Sequence, residues 1–196
     1  MLFKGDEMPP KRKLTKEYIE DAALEIVRRE GEGALNARAL AHELGSSTQP
    51  IFSNFSSMEE LRRAVTLRAY GVYQIFAESV LASGEYPPYK SFGMAYARFA
   101  KDEPRLFSLL FMTKRAQDAT TFDDPITADT VIPIIMKQMD FDKETATAFH
   151  LDIWAFIHGI AVMLATSFYD VPYEQVSDML THAFVGIGNY FKENKK

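Results

Sequence analysis

Two short apolar segments flank Gly45, and neither is long enough to be stable alone. In the first, residues 36–44, Asn36 is placed to cap a helix whose inner face is Leu40, Ala41 and Leu44. Gly45 can then take the left-handed conformation that ends a helix at little steric cost. In the second, residues 48–55, Ile51 and Phe55 lie four apart on one face, while Thr48, Gln49, Ser53 and Asn54 project elsewhere. Such a pair must rest on a longer helix, and residues 15–29 supply one. There Ile19, Ala22, Ala23, Ile26 and Val27 form an apolar stripe, Thr15 is the expected N-cap, Glu17 favours the first turn, and Gly31-Glu32-Gly33 ends the segment.

A long fourth helix follows. Ser57-Met58-Glu59-Glu60 has the capping-box pattern, the serine accepting from the Glu60 amide and the glutamate reaching back. Leu61, Val65, Ala69, Val72, Tyr73, Phe76 and Val80 carry its stripe until Ser83-Gly84 and Pro87-Pro88 break it. Beyond it the spacing predicts helices over 90–101, 103–112, 127–139, 143–169 and 172–192, with Pro133 either starting or kinking its helix. Residues 117–124, QDATTFDD, read as a loop. With no sustained period-two alternation, the expected fold class is all-α. Residues 1–57 form an N-terminal three-helix unit and residues 58–196 a C-terminal bundle, the helix from 58 bridging the two.

Hydrophobic residues make up 47% of the 196, enough for a core without covalent staples. The absence of cysteine excludes a disulfide framework, a thiolate metal site and a thiol nucleophile. Residues 1–10 hold Lys4, Asp6 and Glu7 and no apolar run of signal-peptide length, so a cytoplasmic location is expected. Residues 153–168 are apolar but short and interrupted by His158, Thr166 and Ser167, which suits a buried core helix better than a membrane span. The net charge of −5 argues at first against nucleic acid, yet residues 1–70 carry 11 basic and 11 acidic side chains, so the excess lies in the C-terminal part.

Two short helices joined by a glycine turn over a supporting helix form a helix-turn-helix arrangement. In such a unit the second short helix offers its first turn to the major groove. Ser47, Thr48, Gln49, Pro50, Ser53 and Asn54 would then face DNA, with Gln49 and Asn54 able to pair bidentately with adenine and Pro50 able to touch a thymine methyl. Arg38 would hold a phosphate. Lys11, Arg12, Lys13 and Lys16 would form a basic arm. By spacing alone, the same residues also suit a capped cluster with a solvated polar face, and the basic run a soluble tail.

Residues 14–70 closely resemble the N-terminal DNA-binding domain of the TetR family of transcriptional regulators. The matching stretches are LTKEYIEDAALEIVRREG, NARALAHELGSSTQPIFSNF and SSMEELRRAV, in that order. The resemblance implies that the helix starting at Ser47 is the recognition helix, with Arg38, Ser47, Thr48, Gln49, Phe52, Ser53 and Asn54 as DNA contacts. Two positions depart from the family pattern: Phe52 stands where a phosphate-touching tyrosine is usual, and Met58 where lysine is usual. Phe52 is therefore either a packing residue or a contact limited to van der Waals reach.

The resemblance further implies a C-terminal bundle that binds a small molecule and forms a homodimer through its last two helices, 143–169 and 172–192. Small residues there, Ala155 with Gly159 and Gly186 with Gly188, permit close helix approach, and the run from Trp154 to Gly159 looks like a motif of some C-terminal domains of the family. Candidate pocket residues are Tyr73, Phe76, Tyr96, Phe99, Phe107, Phe111, Trp154, His158 and Met163, implying an apolar or aromatic effector. Each also suits a filled core. No metal or cofactor is expected. The implied function is a repressor on a pseudo-palindromic operator, its two recognition helices about 34–36 Å apart, released when ligand shifts the fourth helix.

Two other classes stay open. An enzyme would need a site built from His42, His150, His158 or His182, but His42-Glu43 is followed by Ser46 where a zinc helix needs histidine, and Gly186-x-Gly188 by Phe191 rather than glycine. A helical adaptor with weakened DNA binding would fit Phe52 and Met58.

Overall fold

The computed structural model describes residues 14–113 and 127–194, all helices and connections. The order is α1 (Lys16–Glu30), a 3-10 turn (Glu32–Ala34), α2 (Ala37–Glu43), α3 (Gln49–Asn54), α4 (Met58–Ala82), α5 (Pro88–Asp102), α6 (Pro104–Phe111), a π-type turn (Thr127–Val131), α7 (Ile132–Met139), α8 (Lys143–Ala165) and α9 (Tyr173–Glu193). The expected loop at 117–124 lies outside the described residues.

The helix starts follow from local chemistry. Thr15 accepts from the Tyr18 amide, Asn36 from those of Arg38 and Ala39, and Ser57 from that of Glu60. The capping box differs in one detail: the Glu60 carboxylate reaches past Ser57 to the amide and hydroxyl of Ser56, both at 2.7 Å. Those bonds hold its pKa below the ordinary carboxylate value. Gly45 is left-handed, at φ +60°, and closes α2. Pro133 falls in the first turn of α7, where the helical run changes from the π-type turn to α-helix. At its end α8 stops at Ala165 rather than 169, because Ser167 turns left-handed at φ +54°.

One large core joins the elements, with a small second cluster of Ala77, Val80 and Ala95 between α4 and α5. Ile19, Ala23, Ile26 and Val27 of α1 meet Leu40 of α2, Ile51 of α3 and Leu61 and Val65 of α4. Arg62 of α4 stitches the α1–α2 connection by donating to the carbonyls of Glu32 and Leu35, and Arg68 pairs with Glu20 and Asp21 of α1. Farther along, α5 packs against α4, α8 and α9, burying Met94, Tyr96, Phe99 and Ala100. By length and composition α8 is apolar enough to cross a bilayer, yet Phe149, Ile153, Ile157, Ile160 and Leu164 are buried in this core. Between the two regions lies α6, which touches α1, α4, α5 and α8.

Candidate DNA-binding and ligand-binding sites

The short helix α3 is anchored by Ile51 and Phe55, both essentially inaccessible, which turns the rest of its surface outward. Its first residue is Gln49, two positions later than the expected start at Ser47; Thr48 is the N-cap but makes no side-chain capping bond. Ser47 and Gln49 are exposed, and Thr48 and Pro50 half-buried beside them. The Gln49 side chain makes no hydrogen bond among the described residues, so both ends of its amide are available.

Ser53 and Asn54 are placed differently. The Ser53 hydroxyl donates to the Gln49 carbonyl at 3.0 Å, and the Asn54 amide donates to the Pro50 carbonyl at 2.8 Å. Asn54 is also half-buried at the C-terminal end of the helix, away from the turn that carries Thr48 and Gln49. Short polar side chains commonly bond back to their own helix in this way, which ties up part of their capacity. Phe52 is 49% exposed on the same outward face, whereas Met58 turns inward and packs on the core.

The basic side chains of this region are mostly committed to carboxylates. Lys16 pairs with Glu60, Arg28 with Glu25 and Glu103, Arg29 with Glu30 and Glu43, Arg62 with Glu32, Arg63 with Glu59, and Arg68 with Glu20 and Asp21. Among described residues 14–82, Arg38 alone is left without such a partner, and it is exposed in the first turn of α2. Lys11, Arg12 and Lys13 lie outside the described residues.

A cavity of about 240 Å³ opens between α4, α5, α8 and α9, with α6, α7 and the π-type turn at its edges. This is near the lower end of ligand pockets, commonly ~300–1,000 Å³. Of the expected lining residues, Tyr73, Tyr96, Phe111 and Trp154 face it. Their rings interlock, Tyr73 to Phe111 at 5.2 Å and Tyr96 to Phe111 at 4.9 Å between centroids.

Phe76, Phe99, Phe107, His158 and Met163 do not line it. Phe99 and Phe107 are fully buried in the filled core, with Phe76 against Phe99. His158 stands behind the wall: its Nδ1 is 2.9 Å from the Tyr96 hydroxyl, and its ring stacks on Trp154 at 4.9 Å. Desolvation there lowers its pKa.

Lining residues that sequence reasoning missed come from the junction of α5, α8 and α9. Tyr89 and His150 are buried and joined through the tyrosine hydroxyl and Nδ1 at 3.0 Å, and burial pushes the Tyr89 phenol pKa up. Lys90 and Gly93 face the cavity from α5, and Thr181 and Phe184 from α9. A Cβ on Gly93 would stand 3.0 Å from Leu180, so the glycine permits the close α5–α9 approach. That close approach gave no signal in a single helix's periodicity.

Comparison with known proteins agrees with this architecture. Residues 89–185 match the family model described as the tetracyclin repressor-like C-terminal domain. An HTH-type transcriptional regulator of Mycobacterium tuberculosis is 26% identical over 161 residues, covering 81% of this chain and 73% of the relative. YobS of Bacillus subtilis, also named an HTH-type transcriptional regulator, is 22% identical over 166 residues, covering 83% of this chain and 85% of the relative. In fold, the structure of a TetR-family member from Streptomyces coelicolor superposes with a TM-score of 0.55 at 17% identity, covering 89% of this chain and 98% of that one. The exposed first turn of α3, the all-helical bundle behind it and these relatives together make the chain a DNA-binding transcriptional regulator of the TetR family.

Proposed function

We propose that the protein is a ligand-released repressor that grips a pseudo-palindromic operator as a homodimer. The observation that carries the reading is the double attachment of α6. At its C-terminal end Phe111 lines the cavity, and just before its first residue Glu103 accepts from Arg28 of α1 at 3.1 Å. Arg105, in its first turn, packs against Gly31 at the end of α1. A ligand that displaces Phe111 therefore moves a rigid eight-residue helix whose other end is fastened to the helix supporting α2 and α3. Coupling needs such a difference in contacts between states.

In this reading residues 1–57 form the DNA-binding domain and 58–196 the ligand-binding and dimerisation domain. Gln49 and Thr48 read bases, with Ser47, Pro50, Phe52, Ser53, Asn54 and Arg38 around them and Lys13 in the arm. The dimer forms through α8 and α9. Leu151, Ala155 and Gly159 of α8, and Val185, Gly186 and Tyr190 of α9, are exposed on one stripe per helix, and added Cβ atoms at Gly159 and Gly186 meet nothing in the same chain. By contrast Gly188 serves the protomer itself, since a Cβ there would stand 2.7 Å from Met139 of α7.

The test is selection of genomic DNA fragments by the purified chain, followed by anisotropy titration of the selected duplex with and without small molecules. A two-fold-related site is expected. Failure to select any sequence defeats the operator reading, and an operator affinity that no compound alters defeats the release reading alone.

A further inference from the structure

The described lining of the cavity contains one cation and no carboxylate. The cation is Lys90, at the start of α5, and its neighbours on that helix show what is unusual about it. Arg98 takes Glu85 and Lys101 takes Asp170, each a full ion pair. Lys90 instead donates to the Thr181 hydroxyl of α9 at 2.8 Å, and its ammonium lies 5.6 Å from the centre of the Tyr86 ring. Thr181 is itself held, its hydroxyl donating to the Ser177 carbonyl at 3.0 Å. The ammonium is thus held at the exposed rim of the cavity, with two of its three protons unassigned among the described residues.

Behind it the walls are mostly apolar and aromatic, formed by Tyr96, Phe111, Trp154 and Ile157, with His150, Gln138 and Thr127 adding polar groups. A cationic ligand would meet Lys90 with no compensating carboxylate among the described lining residues. A neutral one would use the rings alone and leave the ammonium to Thr181, the Tyr86 ring and solvent. A monoanion with an apolar body matches both halves of the site, placing its charge on Lys90 and its body against the rings. We propose that the effector is a compact amphiphilic carboxylate, its anion received by Lys90 at the α5–α9 junction. This rests on reading the cavity as the effector site.

Trp154 is the chain's single tryptophan and lines the cavity, so its emission reports occupancy directly. The full chain is titrated with octanoate and 3-phenylpropionate and with their amides, octanamide and 3-phenylpropionamide. A charge-assisted bond to Lys90 makes each acid bind roughly tenfold tighter than its amide. In Lys90→Met, which keeps the apolar stem, acid and amide bind alike; in Lys90→Arg the preference returns.

Equal binding of acid and amide to the parent, a preference that survives Lys90→Met, or no binding by either acid overturns the proposal. Operator anisotropy with the same compounds separates the two readings. Lys90-dependent binding without operator release keeps the carboxylate site and removes its effector role. Amides that release operator as well as the acids do the opposite.

Discussion

The Arg28 guanidinium donates from Nε to the Glu103 carboxylate at 3.1 Å, fastening the end of α1 to the start of α6 across 75 positions of sequence. Both side chains are partly buried, so the pair is screened less than a surface one. Glu103→Gln keeps the shape and weakens the attachment. Operator affinity without ligand should change by about fivefold at most, because such partly exposed pairs contribute on the order of 1 kcal/mol or below. The factor by which ligand lowers operator affinity should shrink several-fold. Anisotropy titrations at zero and saturating ligand measure both numbers.

Gln49→Ala should lower discrimination between the operator and point-substituted operators by about 1–3 kcal/mol at the base it reads, with little loss on unrelated DNA. Phe52→Tyr should do the reverse. Its ring is exposed on the outward face of α3, and a hydroxyl there should gain a phosphate contact that strengthens binding to every sequence alike. Titration of an operator series against random duplex distinguishes the two patterns.

Gly159→Arg tests the dimer without disturbing the protomer. Nothing lies within 4 Å of a Cβ at this exposed position, so the monomer fold should keep its helicity and unfold within about 1 kcal/mol of the parent. The dimer should dissociate and operator binding fall with it. Sedimentation velocity beside circular dichroism reads both.

His158 makes stability depend on pH. Burial holds its pKa below the ordinary 6.5, so the unfolded chain takes up the proton more readily than the folded one. The stabilisation is complete above 6.5 and is lost as pH falls through the lower folded value. In the same interval the charged imidazole, stacked on Trp154 at 17°, should quench the indole. His158→Gln should flatten both curves, as read by urea unfolding and fluorescence at successive pH values.

How much was legible beforehand depended on how far apart the cooperating residues lie. The caps at Thr15, Asn36 and Ser57 each act within three residues, and all were readable from the chain. So was the outward turn of Gln49, since Ile51 and Phe55 fix the opposite face. The engagement of Asn54 by the Pro50 carbonyl was not, because a polar side chain near a helix end can equally face solvent or bond back.

The cavity was legible only in part. Tyr73, Tyr96, Phe111 and Trp154 were found by the spacing of large rings, but the same spacing also picked out Phe99 and Phe107, which fill the core. Periodicity tells which face of a helix is inward and not whether that inward space is filled. Lys90 and Thr181, 91 positions apart, meet only because α5 and α9 approach closely at Gly93.

The ion pairs that occupy nearly every described cation of the DNA-reading region have a consequence for how binding responds to salt. Nonspecific attraction to a duplex comes from displaced counterions, with affinity falling as about the 0.9 power of salt per neutralised phosphate. With Arg38 the one uncommitted cation in described residues 14–82, these helices contribute few such displacements. The salt dependence of binding should therefore rest mainly on the arm, so that neutralising Lys11, Arg12 and Lys13 flattens the salt slope far more than changing any cation of these helices except Arg38.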